Sequence, residues 1–541
     1  MHDVSPVGSE VQAGRREWLG MAVLALPTLL VSLDIGALFL ALPHLSADLG
    51  ASSTQQLWIA DIYGFLTAGF LITMGNLGDR IGRRRLLLIG AAAFGVASIL
   101  AAYSSSAEML ILTRAALGIA GATLMPSTLA LISNMFVNPR ERGKAIALWV
   151  TCLMAGAALG PVIGGTLLAF FWWGSVFLIG VPVMALLLVT GPRLLPEYKA
   201  PQAGPLDLIS VGLSLAALLP MIYGIKELAA TSHSRTVPII AVIVGAAVGV
   251  LFVRRQRRLE SPLLDLRLFS NRSFSLALTI MVLGTATMGG VFLLISQYVQ
   301  SVQDLPAELA GLALAPSAIS IAIGAMITPK LAQRIKPSYL IGGGLSLAAF
   351  GFLLVALAGT SGGGLALVII GLICQSLGAG PMFALGTGIV LGMAPPERAG
   401  SAASLQETAN QFGGAIGLAM MGTLGTAIYR SQIADAMPAG IPPDQAAMAN
   451  ENLANAIDVA AELPGVLAAQ LLDAAREAFT NGLNVAGIVG TVIVAALAAA
   501  SFVQFRGLQP FAQMTPPDAP PEATVEADDA EAEPRSSPAP A

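Results

Sequence analysis

Charge is what this chain has least of. Only 11% of its 541 residues are Asp, Glu, Lys or Arg, against about 25% in a soluble domain. Hydrophobic residues make up 55% and mean hydropathy is +0.76, which excludes a water-soluble globular fold. Cysteine is rarer still. Cys152 and Cys374 both fall in apolar runs, so neither a disulfide framework nor a Cys-x-x-Cys metal site is available. No His-Glu-x-x-His, Gly-x-Ser-x-Gly, phosphate loop or metal-ligand cluster occurs, so no enzyme, cofactor or metal is expected. The repeated filter of a channel is missing too. A cleavable signal is not expected, because the first apolar run, from about Trp18 to His44, is too long for one and contains Asp34. The net charge of −4 is uninformative overall, and no nucleic-acid partner is expected.

What is present is a series of apolar segments, each near the roughly 20 residues that cross a bilayer. Fourteen can be counted, several interrupted by Gly and Pro, which membrane helices tolerate. The chain thus reads as an all-α membrane protein with fourteen transmembrane helices. Placing both termini in the cytoplasm puts 23 of the 28 Lys and Arg residues inside and four outside, with Arg114 within a span. That asymmetry fixes the expected orientation.

Two loops repeat. Leu77-Gly-Asp79-Arg80-Ile81 recurs as Leu331-Ala-Gln-Arg334-Ile335, and Pro139-Arg-Glu-Arg142 recurs as Pro395-Pro-Glu-Arg398, with offsets of 254 and 256. Duplication follows: a six-helix bundle over 18–194, two inserted helices over 206–253, and a second six-helix bundle over 275–504. Residues 1–17 form a cytoplasmic N-terminus. The second copy has lost the acid of Asp79. Paired bundles around a central site suit a transporter that rocks one half against the other. The loop over 430–478, with seven acids and two arginines from Arg430 to Glu477, reads either as an outer helical hairpin that gates the exit or as a tether. The tail over 507–541 is rich in Pro, Ala and acids and reads as a disordered cytoplasmic segment.

Three carboxylates, Asp34, Asp61 and Glu407, interrupt the apolar runs. A charge at the bilayer centre costs roughly 2.5–3.5 kcal/mol on insertion scales, so such residues usually face a cavity and act. Glu407 lies about nine residues beyond Arg398, roughly 13 Å deep by helical rise, with Asn410 and Gln411 on its face. Trp58, Asp61 and Phe65 share one face of the second span, and an aromatic beside an acid suits a delocalised cation. Met125, Met288, Phe292, Met382 and Phe412 supply an adaptable apolar wall. Arg114, about six residues into the fourth span, either snorkels outward or pairs with Asp34 or Asp61.

Gly75-Asn-Leu-Gly-Asp79-Arg80-Ile-Gly82-Arg83-Arg84-Arg85 joins the second and third spans. The pattern resembles the signature loop of the major facilitator superfamily, in which the resemblance implies a charge relay that holds the outward-facing state. Gly156, Gly160, Pro161 and Gly164 in the fifth span resemble the motif of the superfamily's antiporter branches. With Leu33-Asp34, Ala41-Leu42-Pro43, Trp58-Ile-Ala-Asp61 and Leu263-Leu-Asp265-Leu-Arg267 added, nearly the whole chain resembles the fourteen-span drug:proton antiporters. The closest likeness is to exporters of quaternary ammonium antiseptics and dyes.

That resemblance implies proton coupling through Asp34, Asp61 and Arg114, and a substrate site at Glu407, Asp61, Trp58, Phe65, Asn410, Gln411, Phe292 and Met288. It implies gating through Gly75, Asp79, Arg80, Gly82, Arg83, Gly156, Gly160, Pro161 and Gly164. The expected partners are small lipophilic cationic drugs, protons and the bilayer of a bacterial inner membrane, with the chain as a monomer. Gly36 and Phe39 stand where the pattern usually has Thr and Asn, while Ile321 and Gln411 replace acids of dication-handling relatives. A leaner site for monovalent cations follows. An exporter of an endogenous metabolite or antibiotic, or an importer, would share the fold.

Overall fold

The computed structural model describes residues 13–51, 53–199, 207–229, 236–259, 262–264, 266–360, 363–394 and 399–508. Within helices, the side chains of Asp61 and Pro161 lie outside the described residues, as do Asp265, Pro395, Arg398 and the tail beyond Leu508.

Among the described residues the chain is all helical. Its first set comprises α1 (Arg15–Leu49), α2 (Ser53–Ile81), α3 (Arg83–Ala102), α4 (Ala107–Met135), α5 (Pro139–Phe170), the single turn α6 (Ser175–Leu178) and α7 (Gly180–Leu194). A pair follows, α8 (Leu208–Ala229) and α9 (Thr236–Gln256). The second set comprises α10 (Arg272–Gln297), α11 (Ala307–Leu331), α12 (Pro337–Ala356), α13 (Gly364–Met393), α14 (Ala399–Asp435), α15 (Pro443–Glu451), α16 (Leu453–Glu462) and α17 (Gly465–Gln504). Thirteen helices among the described residues are long and apolar enough to cross a membrane. The remaining counted segment, 144–170, forms the 32-residue α5.

Helix formation satisfies every backbone group locally, which lipid demands. Starts are marked by polar caps: Ser106 accepts Met109 N–H, Asn138 accepts Arg140 N–H ahead of α5, and Asn271 accepts Ser273 N–H ahead of α10. Hydroxyls inside the bilayer bond back one turn, as Thr28 does to the Leu24 carbonyl and Thr408 to that of Ser404.

The two sets pack alike. α1 lies on α5 and α2 on α4; α10 lies on α14 and α11 on α13. Both α1–α5 and α10–α14 rely on glycine. A Cβ at Gly164 would sit 2.8 Å from Ala37 Cα, and one at Gly413 would sit 2.5 Å from the Val282 carbonyl. The sets meet where α2 and α4 touch α14 and where α5 touches α11 and α13. α8 packs on both α2 and α14, and so covers the seam between them.

The end at which α2 passes into α3 carries Arg80, Arg83, Arg84 and Arg85 and is called here the basic end. At the far end, α17 continues for 40 residues, about 60 Å and twice the hydrocarbon thickness. Its projecting part joins α15 and α16 in a helical cap. There the Tyr429 hydroxyl donates to the Ala449 carbonyl at 2.8 Å and Asn481 donates to Gln432 at 2.7 Å.

Candidate functional site

The loop between α2 and α3 is built on one glycine that must be glycine. Gly82 has φ +111°, a left-handed conformation, and a Cβ there would sit 2.6 Å from the Glu197 carboxylate. That carboxylate accepts the N–H groups of Arg84 and Arg85, each at 3.1 Å, and so caps the start of α3 from across the fold.

Asp79 does the same for a helix of the other set. Its Oδ1 accepts Gly400 N–H at 3.1 Å, and its Oδ2 accepts Ser401 N–H and the Ser401 hydroxyl, both at 3.0 Å. Gly400 and Ser401 open α14, so a carboxylate from α2 meets its free N–H groups and positive dipole end. Arg83, buried at 1% exposure, pairs with the same Asp79 at 2.9 Å and stacks over Tyr198 at 4.7 Å. Arg80 donates to Asn76 at 2.6 Å, and Asn76 donates on to the Leu263 carbonyl at 3.2 Å. Leu263 and Leu264 thereby anchor the linker between α9 and α10 against Ile72 and Phe252.

Helix α14 reaches α2 through small residues. A Cβ on Gly75 would lie 2.5 Å from Ser404 Cβ and 2.6 Å from the Gly400 carbonyl. Residues 400, 404, 407 and 411 recur at helical spacing and share one face. Glu407 is therefore one turn, about 4.5 Å, beyond the α2–α14 contact at the basic end. It is 6% exposed, accepts a hydrogen bond from Gln411 at 3.2 Å and has Asn410 beside it. Gln406 Oε1 and Asn410 Oδ1 are buried without a partner among the described residues. A carboxylate with unsatisfied amides around it is a polar site in an apolar wall, fit for a cation or a proton.

Asp34 and Arg114 form a second buried unit. Arg114 Nη1 stands 3.3 Å from Asp34 Oδ2, with the two side chains 1% and 9% exposed. The guanidinium lies 5.3 Å from the Tyr63 ring centre and 5.9 Å from that of Phe177. Among the described residues, its Nε and the Tyr63 hydroxyl have no hydrogen-bond partner. Tyr63 faces the Arg114 guanidinium, and so belongs to this unit. It is held by Gly118, whose missing Cβ admits the Tyr63 carbonyl, and by Thr67, which bonds both the Tyr63 and Gly118 carbonyls.

Sequence reasoning included Tyr63 only as the end of the second-span motif Gln55-Gln-Leu-Trp58-Ile-Ala-Asp61-Ile-Tyr63 and gave it no role. Glu197, Gly400 and Ser401 were missed, since each acts on a distant stretch of chain.

The other expected site residues are dispersed. Trp58 is 41% exposed near the start of α2. Phe65 meets Tyr223 of α8 edge-on at 6.5 Å between ring centres. Met288 is half-buried against the core, and Phe292 is exposed. Gly156 is pressed on α1, with a Cβ position 2.9 Å from Ser32 Cβ, and Gly160 is buried. The Asp61 and Pro161 side chains lie outside the described residues.

Two packed sets of membrane helices, joined across a seam by a motif loop and holding buried charges behind it, define a multi-pass membrane transporter. The model of the Major Facilitator Superfamily matches residues 24–418, and the chain belongs to that superfamily. It is 42% identical over 498 residues to Multidrug efflux pump LfrA of Mycolicibacterium smegmatis, covering 92% of this chain and 98% of that protein. It is 33% identical over 476 residues to Methyl viologen resistance protein SmvA of Salmonella typhimurium, covering 87% of this chain and 94% of that one. The human organic anion transporter MFSD10 (TETRAN) superposes with a TM-score of 0.60 at 15% identity, over 88% of this chain and 99% of that one, a likeness of fold alone.

Proposed function

We propose that the chain exports lipophilic cationic drugs, such as quaternary ammonium antiseptics and dyes, from a bacterial cell in exchange for protons. The observation that carries this reading is Glu407, a buried carboxylate with spare amide groups one turn behind the seam at the basic end. The basic end faces the cytoplasm, as the excess of Lys and Arg requires, and the chain works as a monomer in the inner membrane. Halves over 18–194 and 275–504 rock about the central site, with the pair over 206–253 riding on the α2–α14 seam. Contact of Asp79 with α14 then corresponds to the outward-facing state.

The relatives' names support a drug cargo. Methyl viologen, for which one relative is named, is itself an aromatic dication. Expelling one positive charge against an inside-negative potential costs about 2.3 kcal/mol per 100 mV, and exchanging it for one proton removes that cost. Glu407, with Asn410 and Gln411, takes the cation or the proton, never both. Trp58, Met288 and Phe292 wall the path that the cation leaves by. Asp34 and Arg114, with Asp61, carry the proton step: protonating Asp34 releases the guanidinium, and Tyr63 passes the change toward Glu407.

The test is ethidium efflux from energised cells carrying the wild type or Glu407→Gln, with and without an uncoupler. Wild-type efflux that stops with the uncoupler, and a variant without efflux, is the expected result. Uncoupler-insensitive efflux, or movement of no lipophilic cation, would overturn the reading.

A further inference from the structure

A second, small core lies beside the main one toward the basic end. Ile72 of α2, Phe252 of α9, and Leu263 and Leu264 of the linker between α9 and α10 are its buried members. Leu405 of α14 packs against this core and against the main core as well. Three parts of the fold thus meet there: the first set, the inserted pair and the second set.

Buried polar groups hold the linker in place. Gln256, 3% exposed, is the last residue of α9. Its Oε1 accepts the N–H groups of Leu263 at 2.7 Å and Leu264 at 3.2 Å, while its Nε2 donates to Ser210 Oγ at 2.7 Å. Ser210 donates in turn to Asp207 at 2.7 Å, and Arg255 donates to the same carboxylate at 2.8 Å. Backbone N–H groups outside a helix must find acceptors before they are buried, and Gln256 accepts two of them. On its other side, the Leu263 carbonyl takes the Asn76 amide that Arg80 orients. One chain of hydrogen bonds therefore runs from the α2–α3 loop through the linker to the start of α8.

The two sides of this core are joined differently. Toward α2 there is the directional bond from Asn76, and Leu219 of α8 fits closely on Gly69, where a Cβ would sit 2.7 Å from Leu219 Cδ2. Toward α14 the contact is the apolar side chain of Leu405, and apolar burial is non-directional. A joint of the first kind holds its register, while one of the second kind parts and re-forms. Beyond Leu264 the chain runs on into α10, so the connection from the inserted pair to the second set is pinned to α2 of the first.

We propose that Gln256 is a positioning residue of the basic-end gate: it shapes Leu263 and Leu264 into a socket that travels with α2 and receives Leu405 when that end closes. The inserted pair is then a working part of the gate, a second clasp beside the Asp79 cap. The clasp rests on the two sets rocking about the central site, as in the function proposed above. Opening draws Leu405 out of the socket, and the pair stays on α2.

Spin labels read this gate without any cargo. In lipid nanodiscs, with Cys152 and Cys374 replaced by Ser, labels on Arg85→Cys and Lys336→Cys span the two sets at the basic end. Labels on Arg85→Cys and Arg258→Cys span the first set and the inserted pair. Gln256→Met, apolar and of similar length, and Leu405→Ala are each expected to raise the long-distance population between the sets at least about five-fold. In the Leu405→Ala protein the distance from the first set to the inserted pair is expected to stay as in the wild type. An unchanged distance between the sets in either folded variant overturns the proposal. So does an inserted pair that moves away from the first set in the Leu405→Ala protein. Should Gln256→Met not fold, Leu405→Ala decides alone. Ethidium efflux by the wild type is scored separately, so a failure of the cargo reading shows there and leaves the distances to decide the clasp.

Discussion

Asp79 on α2 accepts both the backbone N–H and the hydroxyl of Ser401 on α14 at 3.0 Å, so an acid of one set of helices caps a helix of the other. The seam is a helix cap made across the two sets. Losing a cap costs roughly 0.5–2 kcal/mol, and orphaning the buried Arg83 adds to that.

Asp79→Asn is therefore expected to shift the gate toward opening at the basic end and to lower efflux about ten-fold or more. The check is thiol labelling of Ser404→Cys, in a background free of Cys152 and Cys374, with an impermeant reagent applied to the basic side. Faster labelling in the Asp79→Asn variant is the expected outcome; unchanged labelling would show that the cap does not hold the gate.

Gly75 offers a steric test of the same seam. A methyl group there meets Ser404 Cβ and the Gly400 carbonyl, both well inside contact distance. Overpacking costs typically about 1–3 kcal/mol, here charged to the closed state alone. Gly75→Ala should reduce transport with normal expression and folding, and Ser404→Gly in the same chain should restore part of it. No rescue in the double variant would place the effect elsewhere.

Much of this arrangement was legible in the sequence where function is local. The α2–α3 loop was readable because its glycines and charges are contiguous, and charges stranded in apolar runs singled out Asp34, Arg114 and Glu407. The repeat offset set Gln333 in the place of Asp79. Partners were harder to read. Arg114 had two acids to choose from, and its distance to Asp34 came only with the packing of α4 on α1. Phe65 shares a face with Trp58, yet α8 lies over that part of α2, and nothing in a hydropathy pattern tells where an inserted pair will rest. Small residues such as Gly400 and Ser401 carry no signal until an acid from another helix reaches them.

The Asp34–Arg114 pair separates stability from transport. Breaking a buried pair by removing one partner costs about 3–5 kcal/mol, because the other charge is left alone. Asp34→Asn should lower the melting temperature of the purified protein, since Arg114 Nε already lacks a partner. Adding Arg114→Met removes the orphan charge and should recover most of the loss. Efflux should stay absent in both. Equal melting temperatures for wild type and Asp34→Asn would mean that the pair contributes little.

Gln411 offers a test of how many charges the cargo carries. Its amide donates to Glu407 at 3.2 Å and its side chain is exposed, so Gln411→Glu sets a second carboxylate beside the first at a wet position. Two carboxylates that close resist ionising together unless a dication holds both, and the same pair takes up two protons when the cation leaves. The wild type, with Glu407 alone on this face, is expected to favour monovalent ethidium. The variant should gain efflux of a dication such as pentamidine or chlorhexidine, by about ten-fold relative to ethidium, at unchanged expression. Paired minimum inhibitory concentrations for the two classes read the change directly. A variant that moves both in parallel would show that the charge count at Glu407 does not set selectivity.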